Sequence, residues 1–254
     1  MLLAVDVGNT QTVLGLFDES KLHADWRIAT LSSDTADEIC IKMVKLLDLG
    51  DCHVSNISAV ALASVVPVLT EQWLDAGQRL SGHAVLNVNS KLDTGLAYLY
   101  DKPAEIGADR IADSMAAISI YGAPVIVVDF GTATNIEVID KNGAFVGGII
   151  APGLDISADA LFQSAARLTR MMVDIPEKVI GRSTAEAVRS GLTYGEIDRI
   201  DGLIRRVFDE LGYKATVVAT GGLSSRVAEL SRTIDVQNDK LTLEGLRLIH
   251  ERNS

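Results

Sequence analysis

Residues 2–11 read LLAVDVGNTQ, and residues 125–134 read VIVVDFGTAT. Laid over each other, they put Asp129 on Asp6, Gly131 on Gly8 and Thr132 on Asn9, at an offset of 123 residues in a chain of 254. Each is an apolar run, then Asp-x-Gly in a polar turn, then further strand-like residues: Val13–Phe17 in the first case, Ile136–Ile139 in the second. Apolar runs broken by Gly, Asn and Asp read as strands joined by a tight turn. Two such units half a chain apart point to a duplicated domain.

Outward from the first hairpin, Leu22–Ile28 reads as a third strand. Asp34–Leu49 reads as a helix, with Ile39, Met43, Leu46 and Leu47 on one face and Ser33 or Asp34 to cap it. Ile57–Val65 is a buried strand ending near Pro67, followed by a helix to Leu80 and a strand at Ala84–Val88. A helix over Ala104–Tyr121 bridges the halves. After the second hairpin come a strand at Ala144–Gly148, a helix from Asp155 and a long helical region over Ser183–Leu211. That region has apolar positions at Ile197, Ile200, Leu203, Ile204 and Val207, a stripe that suits a core, a partner helix, or both. A strand at Ala215–Ala219, a turn at Thr220-Gly221-Gly222 and a closing helix over Leu241–Arg252 complete the chain. Alternating strands and helices give an α/β class, with an expected division into residues 1–118 and 119–254.

The composition narrows the function classes. A chain of 254 residues buries roughly 75% of its unfolded surface, so no disulfide or structural metal is needed to hold it. The net charge of −11 argues against a general affinity for nucleic acid or an anionic membrane. A phosphorylated ligand must then be held by backbone N–H groups, a few basic side chains or cations. Cys40 and Cys52 form no framework, and His23, His53, His83 and His250 are scattered, so a zinc site is not expected. The opening MLLAVDVGNT lacks a basic region and is interrupted by Asp6, and no apolar stretch approaches a membrane span. A cytoplasmic protein is the expectation.

Three turns and one helix start carry the candidate chemistry. In Asp6–Thr10, Gly8 lets backbone approach a phosphate while Asn9, Thr10 and Thr12 add neutral donors. Asp6 would repel a bare phosphate, so its sensible role there is to hold Mg²⁺ directly or through water. The plainer reading is a hairpin turn. Asp129 is a second carboxylate at a strand end, the usual place for ligand-binding groups in α/β folds. No Lys or Arg lies within ten residues before it or eleven after it, and a K⁺ ion is the simpler partner for such a carboxylate. Thr220-Gly221-Gly222 lets a flat ligand lie against bare backbone, or is a plain strand-to-helix turn. Neither a Walker loop nor G-x-G-x-x-G is present. Gly107-Ala108-Asp109-Arg110 near a helix start reads as dipole compensation and a surface ion pair, or as a general base beside a cation for an anionic group.

The linked set of motifs resembles the type III pantothenate kinases, within the superfamily of sugar kinases, Hsp70 and actin. Its marks are DVGNT at Asp6, WR at Trp26, SVVP at Ser64, YDKPAEIGADR over Tyr100–Arg110, VVDFGTAT ending at Thr134, GGIIAPG over Gly147–Gly153, GRST ending at Thr184, ATGG ending at Gly222 and LTLEGL at Leu241. Many superfamily members share the first turn but lack the GADR and GGxIxPG segments. The resemblance implies two duplicated RNase H-like (actin-like) domains with a nucleotide cleft between them. It implies ATP-dependent phosphorylation of pantothenate to 4′-phosphopantothenate, the first step of coenzyme A synthesis. Asp6, Val7, Gly8, Asn9, Thr10, Gln11, Thr12 and Val13 would form the ATP loop, with Thr132 a further ATP contact. Asp109 matches the catalytic base, Asp129 the ligand of a monovalent cation (K⁺ or NH₄⁺), and Tyr100, Gly107, Ala108, Asp109, Arg110 and Thr184 match pantothenate-contacting positions. The family works as a cytoplasmic homodimer. A non-catalytic nucleotide-binding regulator of the same fold is the alternative. An actin-like filament or chaperone ATPase is disfavoured, because 254 residues leave no room for its insertions.

Overall fold

The apolar run at the start of the chain forms β1 (Leu2–Val7), which turns back into β2 (Gln11–Asp18) and β3 (Lys21–Ala29) as an antiparallel meander. The computed structural model describes residues 1–165, 168 and 171–254. After α1 (Ala36–Leu49), β4 (Ala59–Ser64) joins β1 in parallel. α2 (Pro67–Ser81) then leads to β5 (Leu86–Asn87), giving the order β3-β2-β1-β4-β5. Leu3, Val5 and Val7 share a core with Ile39, Met43 and Leu47 of α1 and Leu69 and Trp73 of α2. Burying each such side chain contributes about 1.5–3 kcal/mol. Strand side chains alternate between faces, so Asp6 lies on the opposite face of β1 from that core.

A short β6 (Ala97–Tyr98) and a 3₁₀ turn at Pro103–Glu105 precede α3 (Ala108–Tyr121). The helix therefore starts later than the expected Ala104, with Gly107 just before it and Ala108, Asp109 and Arg110 in its first turn. α1 is capped by Thr35, not by Ser33 or Asp34: the Thr35 hydroxyl accepts the Glu38 N–H while the Glu38 carboxylate accepts the Thr35 N–H, a reciprocal capping box.

The second hairpin repeats the scheme. β7 (Val125–Phe130), β8 (Ala133–Ile139) and β9 (Ala144–Pro152) form an antiparallel meander. α4 (Leu154–Ser164) and α5 (Thr184–Leu211) follow, and then β10 (Thr216–Thr220), parallel to β7. α6 (Ser224–Val227) leads to β11 (Val236–Gln237), parallel to β10. Within the second unit the order β11-β10-β7-β8-β9 matches the five strands of the first sheet one for one. Both meanders extend further than their apolar runs suggest, and Asp6 and Asp129 are the penultimate residues of β1 and β7 rather than turn residues. Val128 and Phe130 pack with Ile197, Ile200 and Ile204 of α5, while Leu203 and Val207 lie against that core. The apolar stripe of α5 thus serves the core.

The chain divides into two compact units, Met1–Ser119 with Lys240–Ser254, and Ile120–Asp239. The closing helix α7 (Leu241–Arg252) accordingly belongs with the first sheet, not with the second half as a cut at residue 118 has it. Its Gly245 lies so close to the Ala112 carbonyl of α3 that a Cβ has no room there, and Leu243 packs against Gly15 of β2. The LTLEGL segment thereby supports the helix whose first turn carries Asp109.

Candidate active site

In the first unit the hairpin loop is Gly8–Thr10. The Gly8 N–H donates to the Gln11 carbonyl at 3.1 Å, and a Cβ on Gly8 would stand 3.0 Å from that same oxygen. Glycine fits this approach without displacing the turn. The Thr30 N–H, just beyond β3, donates to the Thr10 carbonyl at 3.0 Å. Asn9, Thr10 and Gln11 are exposed at the tip, and Arg27 Nη1 donates to Gln11 Oε1 at 2.7 Å. Val7 sends its side chain into the core, so its backbone is what it can offer a ligand; Val13 is half-buried opposite Asp6. Thr12 does not stand at the tip as a donor: its hydroxyl is buried, 2.8 Å from that of Thr30, and it supports the loop from beneath.

At the start of α3, the Asp109 carboxylate folds back over Gly107, occupying the place where a Cβ at residue 107 would be. It accepts the Arg110 N–H at 2.8 Å. Burial pushes its pKa above the ordinary aspartate value, and that N–H and the Arg110 guanidinium partly oppose the rise. Arg110 is 7% exposed, so the pair is not the solvated surface pair of the plainer reading. A carboxyl with a raised pKa in a helix mouth is suited to accept a proton from an alcohol. Tyr100 lies nearby in sequence and is half-buried.

In the second unit the loop is one residue shorter. Gly131 and Thr132 make the turn, and the Gly131 N–H donates to the Ala133 carbonyl at 3.0 Å. Thr132 is exposed at its tip. The Asp129 carboxylate lies 3.6 Å from a Cβ built on Gly131 and fills the place where a Cβ on Gly221 would be. Gly221 has φ +91°, a conformation that favours glycine, and such a Cβ would also stand 2.7 Å from the Phe130 nitrogen. A carboxylate set among bare backbone is a donor set that fits a large monovalent cation; a small divalent cation is more often held by substrate phosphates with one or two carboxylates. Among the described residues, no group of three or more His, Cys, Asp or Glu is gathered as a protein-only metal cage.

Gly153 closes the second loop from behind. Its N–H donates to the Thr132 carbonyl at 3.1 Å, and a Cβ there would stand 2.5 Å from the Gly131 carbonyl. This is what the last glycine of GGIIAPG does. Thr184 is the exposed first residue of α5, behind the Ser183 cap whose hydroxyl accepts the Glu186 N–H. Gly107–Arg110 and Tyr100 thus stand in the first unit and Thr184 in the second.

Comparison with known proteins bears on this arrangement. The family model for type III pantothenate kinase matches residues 2–206. The chain belongs to the type III pantothenate kinase family. It is 42% identical over 254 residues to the type III pantothenate kinase of Moorella thermoacetica, covering 100% of both chains. It is 45% identical to that of Frankia alni, again over 100% of both. Among solved structures, the activator of the 2-hydroxyisocaproyl-CoA dehydratase from Clostridium difficile with bound ADPNP matches with a TM-score of 0.60 at 14% identity, covering 99% of this chain and 95% of that one. That likeness shows the duplicated actin-like fold.

The sequence pattern gave no sign of the apposition of Gly221 to Asp129, because a lone Gly-Gly is an ordinary turn. Nor did it flag Glu196 and Arg199 behind the second loop. Their signal was faint: two charged residues on the otherwise apolar face of a helix.

Proposed function

We propose that this chain phosphorylates pantothenate with ATP, giving 4′-phosphopantothenate and ADP, the first step of coenzyme A biosynthesis. The observation that carries the mechanism is the raised-pKa Asp109 carboxyl seated on Gly107 at the mouth of α3. Asp109 takes the proton of the substrate hydroxyl as that oxygen attacks the γ-phosphorus, and ADP leaves. Such a transfer asks for positioning and charge neutralisation more than covalent help. The Gly8–Gln11 tip offers its N–H groups to the ATP phosphates, and Thr132 offers a further contact. Asp6 holds Mg²⁺, directly or through water, which neutralises phosphate charge in a chain with net charge −11. Asp129 holds K⁺ or NH₄⁺. Tyr100, Gly107–Arg110 and Thr184 contact pantothenate, with Arg110 facing its carboxylate. The Asp129–Gly131–Gly221 arrangement supports the cation reading, and family membership supports the substrate.

The reading includes a cytoplasmic homodimer. No helix among the described residues is long and apolar enough to cross a membrane. Ile150, Ile156, Met172, Ile175, Val179 and Ile180 of the second unit are exposed large apolar side chains, which supports association. The non-catalytic alternative has no observation in its favour. The test is direct: purified protein with ATP, Mg²⁺, K⁺ and pantothenate, read by mass spectrometry. Phosphopantothenate and ADP in equal amounts are expected; ATP binding without phosphorylated product would overturn the reading. Light scattering should give a mass near twice 27.1 kDa, and the monomer mass would remove the dimer.

A further inference from the structure

Behind the second hairpin stands a charged pair that none of the roles above uses. Glu196 and Arg199 lie one turn apart on α5, and Glu196 is 5% exposed. Glu196 Oε1 accepts a hydrogen bond at 2.7 Å from the hydroxyl of Thr134, the second residue of β8. Its other oxygen, Oε2, is paired with Arg199 Nη2, which also donates to the Pro152 carbonyl at 2.8 Å. Pro152 ends β9 and is followed by Gly153, whose N–H holds the Thr132 carbonyl. One side-chain pair on one helix thus holds both the start of β8 and the end of β9.

The first unit shows what this pair replaces. Thr12 pairs with Val7 and Thr134 with Phe130, so the two threonines are equivalent in their hairpins. The Thr30 N–H holds the Thr10 carbonyl as the Gly153 N–H holds that of Thr132. Thr30, however, also brings a hydroxyl, and it meets Thr12 at 2.8 Å. Gly153 has no side chain, and a Cβ there would collide with the loop. The partner of Thr134 must therefore come from elsewhere, and α5 supplies it. A buried carboxylate is expensive to leave without a partner; Arg199 partners it and extends the grip to Pro152.

We infer that Glu196 and Arg199 are positioning residues for the Gly131–Thr134 loop: they fix Thr132 and the adjoining Asp129 in the geometry that nucleotide and monovalent cation require. The inference rests on the reading of that loop as part of the ATP and cation site. Partners that orient ligand-bearing groups are worth roughly 10–100-fold in affinity or activity when removed. Arg199→Ala should raise the KM for ATP and the K⁺ concentration for half-activation by roughly tenfold, with the KM for pantothenate unchanged. Arg199→Lys should recover part of that loss. Thr134→Val removes the hydroxyl while leaving the Glu196–Arg199 pair in place; losing that donor to the buried Glu196 Oε1 should lower the melting temperature, and the same two constants should shift with it. Thr132→Ala is the control for the loop itself. If it leaves the KM for ATP unchanged, the loop reading fails. If it raises that KM while Thr134→Val and Arg199→Lys lower the melting temperature alone, the pair is structural and the inference is overturned.

Discussion

In the first unit the hairpin loop runs over Gly8–Thr10 and is held from β3; in the second it is Gly131 and Thr132 and is held from β9 and α5. The strand register around them is the same. Asp6 faces Val13 on one side and Ala63 on the other, and Asp129 faces Asn135 and Thr220. Beyond the parallel partner the units part: β4 ends in Ser64 beside Val7, whereas the residue after Thr220 is Gly221, left-handed and pressed on the Asp129 carboxylate. Duplication thus preserved the backbone frame while the loops and their supporting side chains diverged. The longer loop, with an exposed Asn9-Thr10-Gln11 tip, suits an array of N–H donors for phosphates. The tighter one, with its carboxylate among glycines, suits a cation.

The largest effect should come from the residue that belongs to neither hairpin. Asp109→Asn should lower kcat by roughly 10²- to 10⁴-fold, with ATP binding, measured by calorimetry, little changed. Because burial raises the Asp109 pKa, the folded protein holds that proton more tightly than the unfolded chain does. The stability contribution is therefore fullest below the ordinary aspartate pKa and is lost as pH climbs through the raised value. Above that window the Asn variant should melt at a higher temperature than the wild type. In the wild type, kcat/KM should rise with pH through the same raised value, since the base acts deprotonated. A flat profile, or an Asn variant with near-normal kcat, would remove Asp109 from the role.

The next effect separates the hairpins. Gly221→Ala asks a non-glycine residue to adopt φ +91° and to displace the Asp129 carboxylate. It should cost about 1–3 kcal/mol in urea unfolding and abolish activation by K⁺. Gly8→Ala is milder, since its Cβ would meet one carbonyl at 3.0 Å and φ is unstrained. It should raise the KM for ATP a few-fold while the K⁺ response persists. Loss of the K⁺ response in Gly8→Ala, or its survival in Gly221→Ala, would break the division of labour.

The frame was legible because its signals are local. An apolar run followed by Asp-x-Gly marks a strand end wherever it occurs, and finding it twice exposes the duplication. The α1 cap was legible too, but by a finer rule: Thr35 with Glu38 three residues on is a capping box, whereas Ser33 and Asp34 lack that partner. The return of α7 to the first unit depended on Gly245 meeting Ala112 across the fold, which no local pattern announces. The same holds for Thr134 and Glu196, 62 residues apart, whose contact only the packing of α5 on the second sheet creates.

If the two equivalent aspartates hold different ligands, neutralising each in turn shows it most directly. Phosphopantothenate formation should be titrated with Mg·ATP and with K⁺ in Asp6→Asn and in Asp129→Asn. Asp6→Asn should need more Mg·ATP yet respond to K⁺ as the wild type does; Asp129→Asn should keep its Mg²⁺ dependence and lose the difference between potassium and sodium buffer. The same pair of shifts in both variants, or an intact potassium response in Asp129→Asn, would contradict it.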